Sequence, residues 1–522
     1  MATTNPFLTP IIEQVVPGAL NFKEKLSHAG IGSGRYNSLF TPITGQSGYS
    51  AGGNGTKLMT FKITSADYVD TSTLCLSWYA QAVTANSAAT TSCIDESVLS
   101  LIQQVTVRVG GVQLFTITDF PAVYNALVSV SMPKAVYNQD GPVQGLYKSS
   151  TVLGGDNQAY SIVNTNFLDS TVQQANRSVA QTWSQGRYYS IPLGFLFSGL
   201  KEYFPLRNVS SIEIEFLLQS SINACIAPSG SNGGGVGANP PTGITINEAE
   251  MRVDMVRCSP DLYALMDSEI LHGGGVSVTM DLHTNIPFSL NNSSTTPGER
   301  ALQTAQSVRF LKTVYLTTRL TDFLNDASWS KSNFGNHQFA QHRILINGVS
   351  YPQIPVTKVW DAYNEMKKAQ NRLGNLAGDA VAGFLEWTGP YNLAYNFGST
   401  APTVPTASVL SSGGPAVGVA PSRDGTYWGS QNLDDSRFVL ATNLETFLTS
   451  RDADLDGINL AESAGSLCEV RITNAPSSVS YAYVGTSGVL TATPTARSMT
   501  YNVILHHAGI LSIRGGAVEF VK

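Results

Sequence analysis

"VRVGGVQLFTITDFPAVYNAL", residues 107–127, sets Gly110-Gly111 between two apolar-rich runs and follows them with an amphipathic tail. A second stretch, "ILINGVSYPQIPVTKVWDAYNEM" (344–366), repeats the plan around Asn347-Gly348. Both dipeptides tolerate positive φ at two successive residues, as a type I′ hairpin turn demands. The first predicted hairpin sets Val109 opposite Val112 and Val107 opposite Leu114. The second sets Ile346 opposite Val349 and Ile344 opposite Tyr351. Gly111, Val112 and Ile117 recur as Gly348, Val349 and Ile354 at a constant offset of 237, and Tyr124-Asn125 recurs as Tyr363-Asn364 after a slip of two. Hairpin, identities and following helix in one order predict an internal duplication.

The flanks extend the parallel. Each helix is followed by a long irregular stretch, 132–187 and 374–435, the latter dense in turn residues. Each then gives way to an apolar strand, "YYSIPLGFLF" (188–197) or "RFVLATNLETFL" (437–448), and to an alternating one, "SIEIEFLL" or "SLCEVRIT" (466–473). Each half closes on a further strand, "AEMRVDMVRC" or "SMTYNVILHHAGILSI". Period-2 alternation also marks "KLMTFKI" (57–63) and "TLCLSWYA" (73–80), whose Leu74, Leu76 and Trp78 share a face. Helices are few and short. Asp119 is the expected cap of one through Tyr124, Ser259-Pro260 opens a second, and 357–373 is the longest. The reading is an all-β chain with a boundary between its halves near 265–277, around "HGGG". A Gly/Ser/Asn-rich segment before residue 55 reads as an arm.

Composition narrows the function classes. Charged residues are 13% of the 522, against roughly 25% in an average soluble chain. So large and charge-poor a molecule is expected to hide much of its surface against other chains. The 31 Lys and Arg are scattered and the net charge is −6, which argues against direct phosphate-backbone binding. No run of about 18 apolar residues suggests a transmembrane helix, and the N-terminal residues do not read as a signal peptide. Five dispersed cysteines without a CxxC pair are expected to be reduced and packed as small apolar residues.

Taken in order, strand, Gly-Gly or Asn-Gly turn, strand and aromatic-bearing helix, present twice, resemble the double jelly-roll major capsid proteins of eukaryotic DNA viruses. That lineage includes nucleocytoplasmic large DNA viruses, virophages and Polinton-like viruses. "IPLGFLFSGLKEYFPLRNVSSIEIEF" (191–216) and the ending "YNVILHHAGILSIRGGAVEF" (501–520) are similar to the family's patterns. The chain is shorter than the large-virus members. The resemblance implies two tandem eight-stranded jelly rolls, 56–268 and 269–522, behind an arm, 1–55, that reaches under a neighbour. It implies a homotrimeric, pseudo-hexagonal capsomer that tiles an icosahedral shell, with the long loops as an outer tower and minor capsid and penton proteins as further partners. It implies no catalysis, no sequence-specific nucleic-acid binding and a place in the virion. A carbohydrate-binding or carbohydrate-active β-sandwich is the alternative, which would place exposed aromatics beside paired acids.

Candidate chemistry is sparse. Asp452, Asp454, Asp456 and Gly457 match the opening of a calcium loop, in which alternate carboxylates converge on a hard cation. Position 12 is Ser463 rather than Glu, so an acidic surface loop competes with a weak divalent-cation site. Gly48-Tyr49-Ser50-Ala51-Gly52 spells GxSxG, but the strand and helix of a nucleophile elbow are not evident around it. "GIGSG" (30–34) lacks a preceding strand. His506 and His507 must face opposite ways on a strand, and His28, His272, His283, His337 and His342 form no ligand spacing. Trp78, Tyr79, Phe195, Phe197 and Trp360 are expected in cores or subunit interfaces rather than in a sugar platform.

Overall fold

The computed structural model describes residues 34–46, 48–83, 92–94, 97–132, 187–198, 200, 203–228, 241–272, 275–292, 299–321, 324, 331, 334, 339–370, 387, 438–445, 456–461, 467–474, 483–484, 490–491, 497–515 and 517–521. The first half carries β1 (Gly34–Phe40), β2 (Gly48–Ala51), β3 (Leu58–Ile63), β4 (Tyr68–Val83), β5 (Ser92–Ile94), β6 (Ile102–Val109), β7 (Val112–Thr118), α1 (Phe120–Ser131), β8 (Arg187–Pro192), β9 (Ile212–Leu218), β10 (Ile226–Pro228) and β11 (Gly243–Arg257). Helix α2 (Pro260–His272) leads into the second half. There follow β12 (Val276–Asn292), β13 (Glu299–Thr304), β14 (Phe310–Leu320), β15 (Phe339–Ile346), β16 (Val349–Val356), α3 (Val359–Ala369), β17 (Leu440–Asn443), β18 (Cys468–Asn474), β19 (Tyr483–Val484), β20 (Leu490–Thr491), β21 (Arg497–Arg514) and β22 (Ala517–Val521).

The strands of each half pair only among themselves. In the first, one sheet runs β1-β11-β4-β8 and faces a second, β3-β9-β6-β7. In the other half the orders are β12-β21-β14-β17 and β13-β18-β15-β16. Matched from the duplicated hairpin outward, the two orders are identical. Each half is an eight-stranded jelly roll. Its core is the interleaved inner faces of the two sheets: Ile212, Ile214, Phe216 and Leu218 of β9 are buried while the intervening residues are not. Leu74, Leu76 and Trp78 do the same on β4.

Both duplicated turns are built as the dipeptides predict. Gly110 and Gly111 have φ of 57° and 83°, Asn347 and Gly348 50° and 84°. Ile346 and Ile344 pair with Val349 and Tyr351 as expected. Val107 pairs with Phe115 instead of Leu114, because a bulge between Val107 and Arg108 shifts the register by one.

The expected arm is in part sheet. Residues 34–40 and 48–51 pair with two successive stretches of β11, Met251–Arg257 and Ile244–Asn247. Together β1 and β2 are the interrupted counterpart of β12, which runs 17 residues unbroken along β21. Residues 1–33 lie outside the described residues. Helix α2 begins at Pro260, with Ser259 Oγ accepting from the Leu262 N–H at 3.3 Å.

Candidate assembly surface

The first jelly roll lies with its β7–α1 flank on the outer face of the β12-β21-β14 sheet. Asn285 Nδ2 donates to the Thr118 carbonyl (3.0 Å), and the Asp281 N–H, on the open edge of β12, donates to the Ser198 carbonyl (2.7 Å). Gly110, at the duplicated turn, sits where a Cβ would stand 2.8 Å from Val518 Cγ2 of β22. Two buried cations of the second roll reach across: Lys331 Nζ donates to the Ile226 carbonyl, and Arg319 Nη2 donates to the Asp119 carboxylate. Asp119 therefore does not cap α1 with its side chain. Its carboxylate is drawn to the guanidinium, its carbonyl accepts from the Ala122 N–H, and its φ of 49° makes the turn between strand and helix.

Register identifies the counterparts of these residues. Val256 of β11 pairs with both Arg35 and Tyr68; Ala508 of β21 pairs with both Asp281 and Phe310. Counting two residues from each, Asp70 corresponds to Lys312, Asp254 to His506 and Asn37 to His283. In the first roll Arg35 lies between two acids, 2.7 Å from Asp254 and 3.1 Å from Asp70. In the second, Asp281 lies between two bases, 2.7 Å from Lys312 and 3.6 Å from His506, whose ring stacks on His283 at 4.9 Å. An arginine between two acids thus becomes an aspartate between a lysine and a histidine. Burial works against the Asp281 carboxylate, but His506 and Lys312 outweigh it and hold its pKa well below the usual carboxylate range. Asp254 is held down chiefly by the hydrogen bond from Asn37, then by Arg35.

Of the two equivalent flanks, β7–α1 meets the other roll, where Asn285 binds the Thr118 carbonyl. Ile117 of β7, opposite Val105, and its register equivalent Val356 of β16, opposite His342, are both inner-face core residues, whereas Val349 and Ile354 of β16 are 54% and 82% exposed, beside Trp360 of α3 at 47%. No described element covers the outer face of β1, β11, β4 and β8. There Leu39 is exposed, and Tyr188 (61% exposed) packs its ring 4.9 Å from Tyr79. Glu248 takes a left-handed φ of 50° within a bulge of β11, which aims its carboxylate at the Tyr188 hydroxyl.

The other candidates do not converge. Asp452 and Asp454 lie outside the described residues. Asp456 accepts from the Gly457 N–H at 2.8 Å, and among the described residues no group of three His, Cys, Asp or Glu could hold a metal. Ser50 is on β2, paired along β11, without the strand-turn-helix of a nucleophile elbow. His506 and His507 do face opposite ways: His507 Nε2 lies 3.1 Å from Thr284 Oγ1, on the side away from Asp281. His28 and His337 lie outside the described residues, as do the loops at 133–186 and 388–436. Cys75, Cys258 and Cys468 are free thiols. Trp78 and Phe197 are core residues; Tyr79 and Trp360 belong to the two uncovered faces.

No protein-family model matches the chain, and neither does any curated sequence. Solved structures do. The Faustovirus major capsid protein superposes with a TM-score of 0.52 at 10% identity, over 92% of this chain and 91% of that one. A chain of the Sputnik virophage structure gives 0.52 at 12% identity, over 94% and 88%. VP54 of PBCV-1, fitted into a reconstruction of Sputnik, gives 0.51 at 10% identity, over 94% and 97%. The matches run through both halves in one alignment, so the fold of this chain is the double jelly roll of virus capsid proteins.

Proposed function

We propose that the chain is the major capsid protein of an icosahedral virus, assembling as a homotrimeric, pseudo-hexagonal capsomer. The observation that carries this reading is the asymmetry of two equivalent flanks: β7–α1 meets the other roll within the chain, and β16–α3 leaves Ile354 and Trp360 exposed. A surface of that kind on a charge-poor molecule calls for a partner. The contact between the two rolls is heterologous, so repeating it from chain to chain gives a ring, rather than a pair, where the rotation closes. Six jelly rolls in such a ring are three chains. On this reading the chain performs no catalysis and resides in the virion, where minor capsid and penton proteins join it. It needs no cofactor, and a divalent cation at Asp452, Asp454 and Asp456 would be accessory.

The test is molar mass by light scattering after size exclusion. Three copies of 55.7 kDa give about 167 kDa, and an obligate trimer keeps that mass on dilution. A chain that stays at 55.7 kDa at every concentration overturns the reading.

A further inference from the structure

The interface inside the chain serves as a template for the one between chains. Helix α1 is preceded by Asp119 and helix α3 by Lys358, so these two residues hold the same place in the two flanks. Register also finds the counterpart of Asp119's partner. Tyr315 pairs with Ile504 and Ala441, as Cys75 pairs with Arg252 and Pro192; four residues further along each strand, Arg319 corresponds to Tyr79. In the first roll the guanidinium is thus replaced by an aromatic ring, packed at a tilt against Tyr188, whose hydroxyl is bound to Glu248. Where the flank changes from acid to base, the face that would receive it changes from base to aromatic and acid.

We infer that Lys358 of one copy docks on the Tyr79–Tyr188–Glu248 cluster of another, with the β16–α3 flank laid on the outer face of β1, β11, β4 and β8. This contact rests on the self-assembly proposed above and names the surfaces that perform it. Three features of the two surfaces fit that occupant. The flank exposes apolar Val349, Ile354 and Trp360, and the receiving face exposes Leu39 and Tyr188. The Lys358 ammonium is held above exposed Trp360, 6.0 Å from the ring centroid. The left-handed φ of Glu248 is a conformation that non-glycine residues seldom adopt, and here it spends backbone strain to present a carboxylate on an open face. A second flank of the β7–α1 type would bring Asp119 against Glu248 and be repelled, so the face selects which of the two flanks it accepts.

Charge exchange tests the contact. Both residues are exposed, and Glu248→Lys and Lys358→Glu leave the folded chain intact. Each single variant places like charges across the interface, and self-association by sedimentation at moderate salt is expected to weaken about ten-fold or more. The double variant restores the opposite pairing and recovers affinity to within about three-fold of the parent. Singles that associate like the parent, or a double variant no better than the worse single, overturn the contact while the shell reading stands. A parent chain that never self-associates overturns both.

Discussion

Asp119 and Arg319, 200 residues apart in sequence, join the two jelly rolls through an ion pair whose guanidinium is buried. Such a pair contributes less through its attraction than through the cost of leaving one member alone. Replacing Asp119 by Asn keeps a residue that tolerates left-handed φ, so the loss reads the charge itself. Asp119→Asn is expected to cost about 2 kcal/mol, or roughly 4–8 °C in the unfolding temperature of a unit this size. Adding Arg319→Met should recover most of it, because no charge is then left buried. Calorimetry on the three proteins decides; equal melting of Asp119→Asn and the parent would remove the pair from the account of domain docking.

The exposed flank gives a prediction of opposite kind. Ile354→Ser and Trp360→Ala touch no core, so unfolding free energy is expected within about 0.5 kcal/mol of the parent. Self-association should weaken at least about ten-fold for each, as truncation of an interface anchor does. Sedimentation and thermal melting on the same samples separate the two effects. Loss of folding without loss of association would show these residues to be structural.

The duplicated turns are no longer interchangeable. Asn347 shows that Asn fits the first turn position, yet at Gly110 its Cβ would stand 2.8 Å from Val518. Gly110→Asn is expected to cost about 1–3 kcal/mol through overpacking against β22. Asn347→Gly, at a turn facing solvent, should cost no more than about 1 kcal/mol. Chemical denaturation compares them, and equal costs would mean that β22 yields to the added side chain.

Acid should loosen the second roll before the first. Burial pushes His342 down to about 4, and its Nδ1 has no hydrogen-bond partner among the described residues. Below its ordinary value of 6.5 the unfolded chain takes up a proton that the folded chain refuses until about 4. Stability is therefore intact above pH 6.5 and falls as the pH drops through that window, by roughly 3 kcal/mol in all. His283, pushed well below its ordinary value by desolvation and then by the neighbouring His506, adds to the same slope. The first roll has no histidine between residues 34 and 257. Hydrogen exchange at pH 5 should open β12–β21 ahead of β4–β11, and His342→Leu should flatten the dependence. Equal protection of both rolls at pH 5 would refute the assignment.

The duplication was legible in the sequence because a type I′ turn admits few residues and an alternating strand such as 212–218 shows which face is buried. Other features were not. β1, "GRYNSLF", is a largely exposed edge strand with no alternation, so it read as arm. Asp119 satisfied every local criterion for a cap; its partner lies on another domain, and no local pattern carries that information. The exchange of Arg35, Asp70 and Asp254 for Asp281, Lys312 and His506 emerges only when two sheets are aligned by register. One signal lay in plain view: the residue before the helix is Asp in one copy and Lys in the other.

That reversal bears on synthesis. The first jelly roll leaves the ribosome before the second exists, with β7–α1 bare and its intended cover unmade. On a polysome many such half-finished chains are crowded together, each also showing an open outer face. On the contact inferred above, Asp119 against Glu248 disfavours the joining of those halves, so each chain covers its own first flank before it meets a second copy.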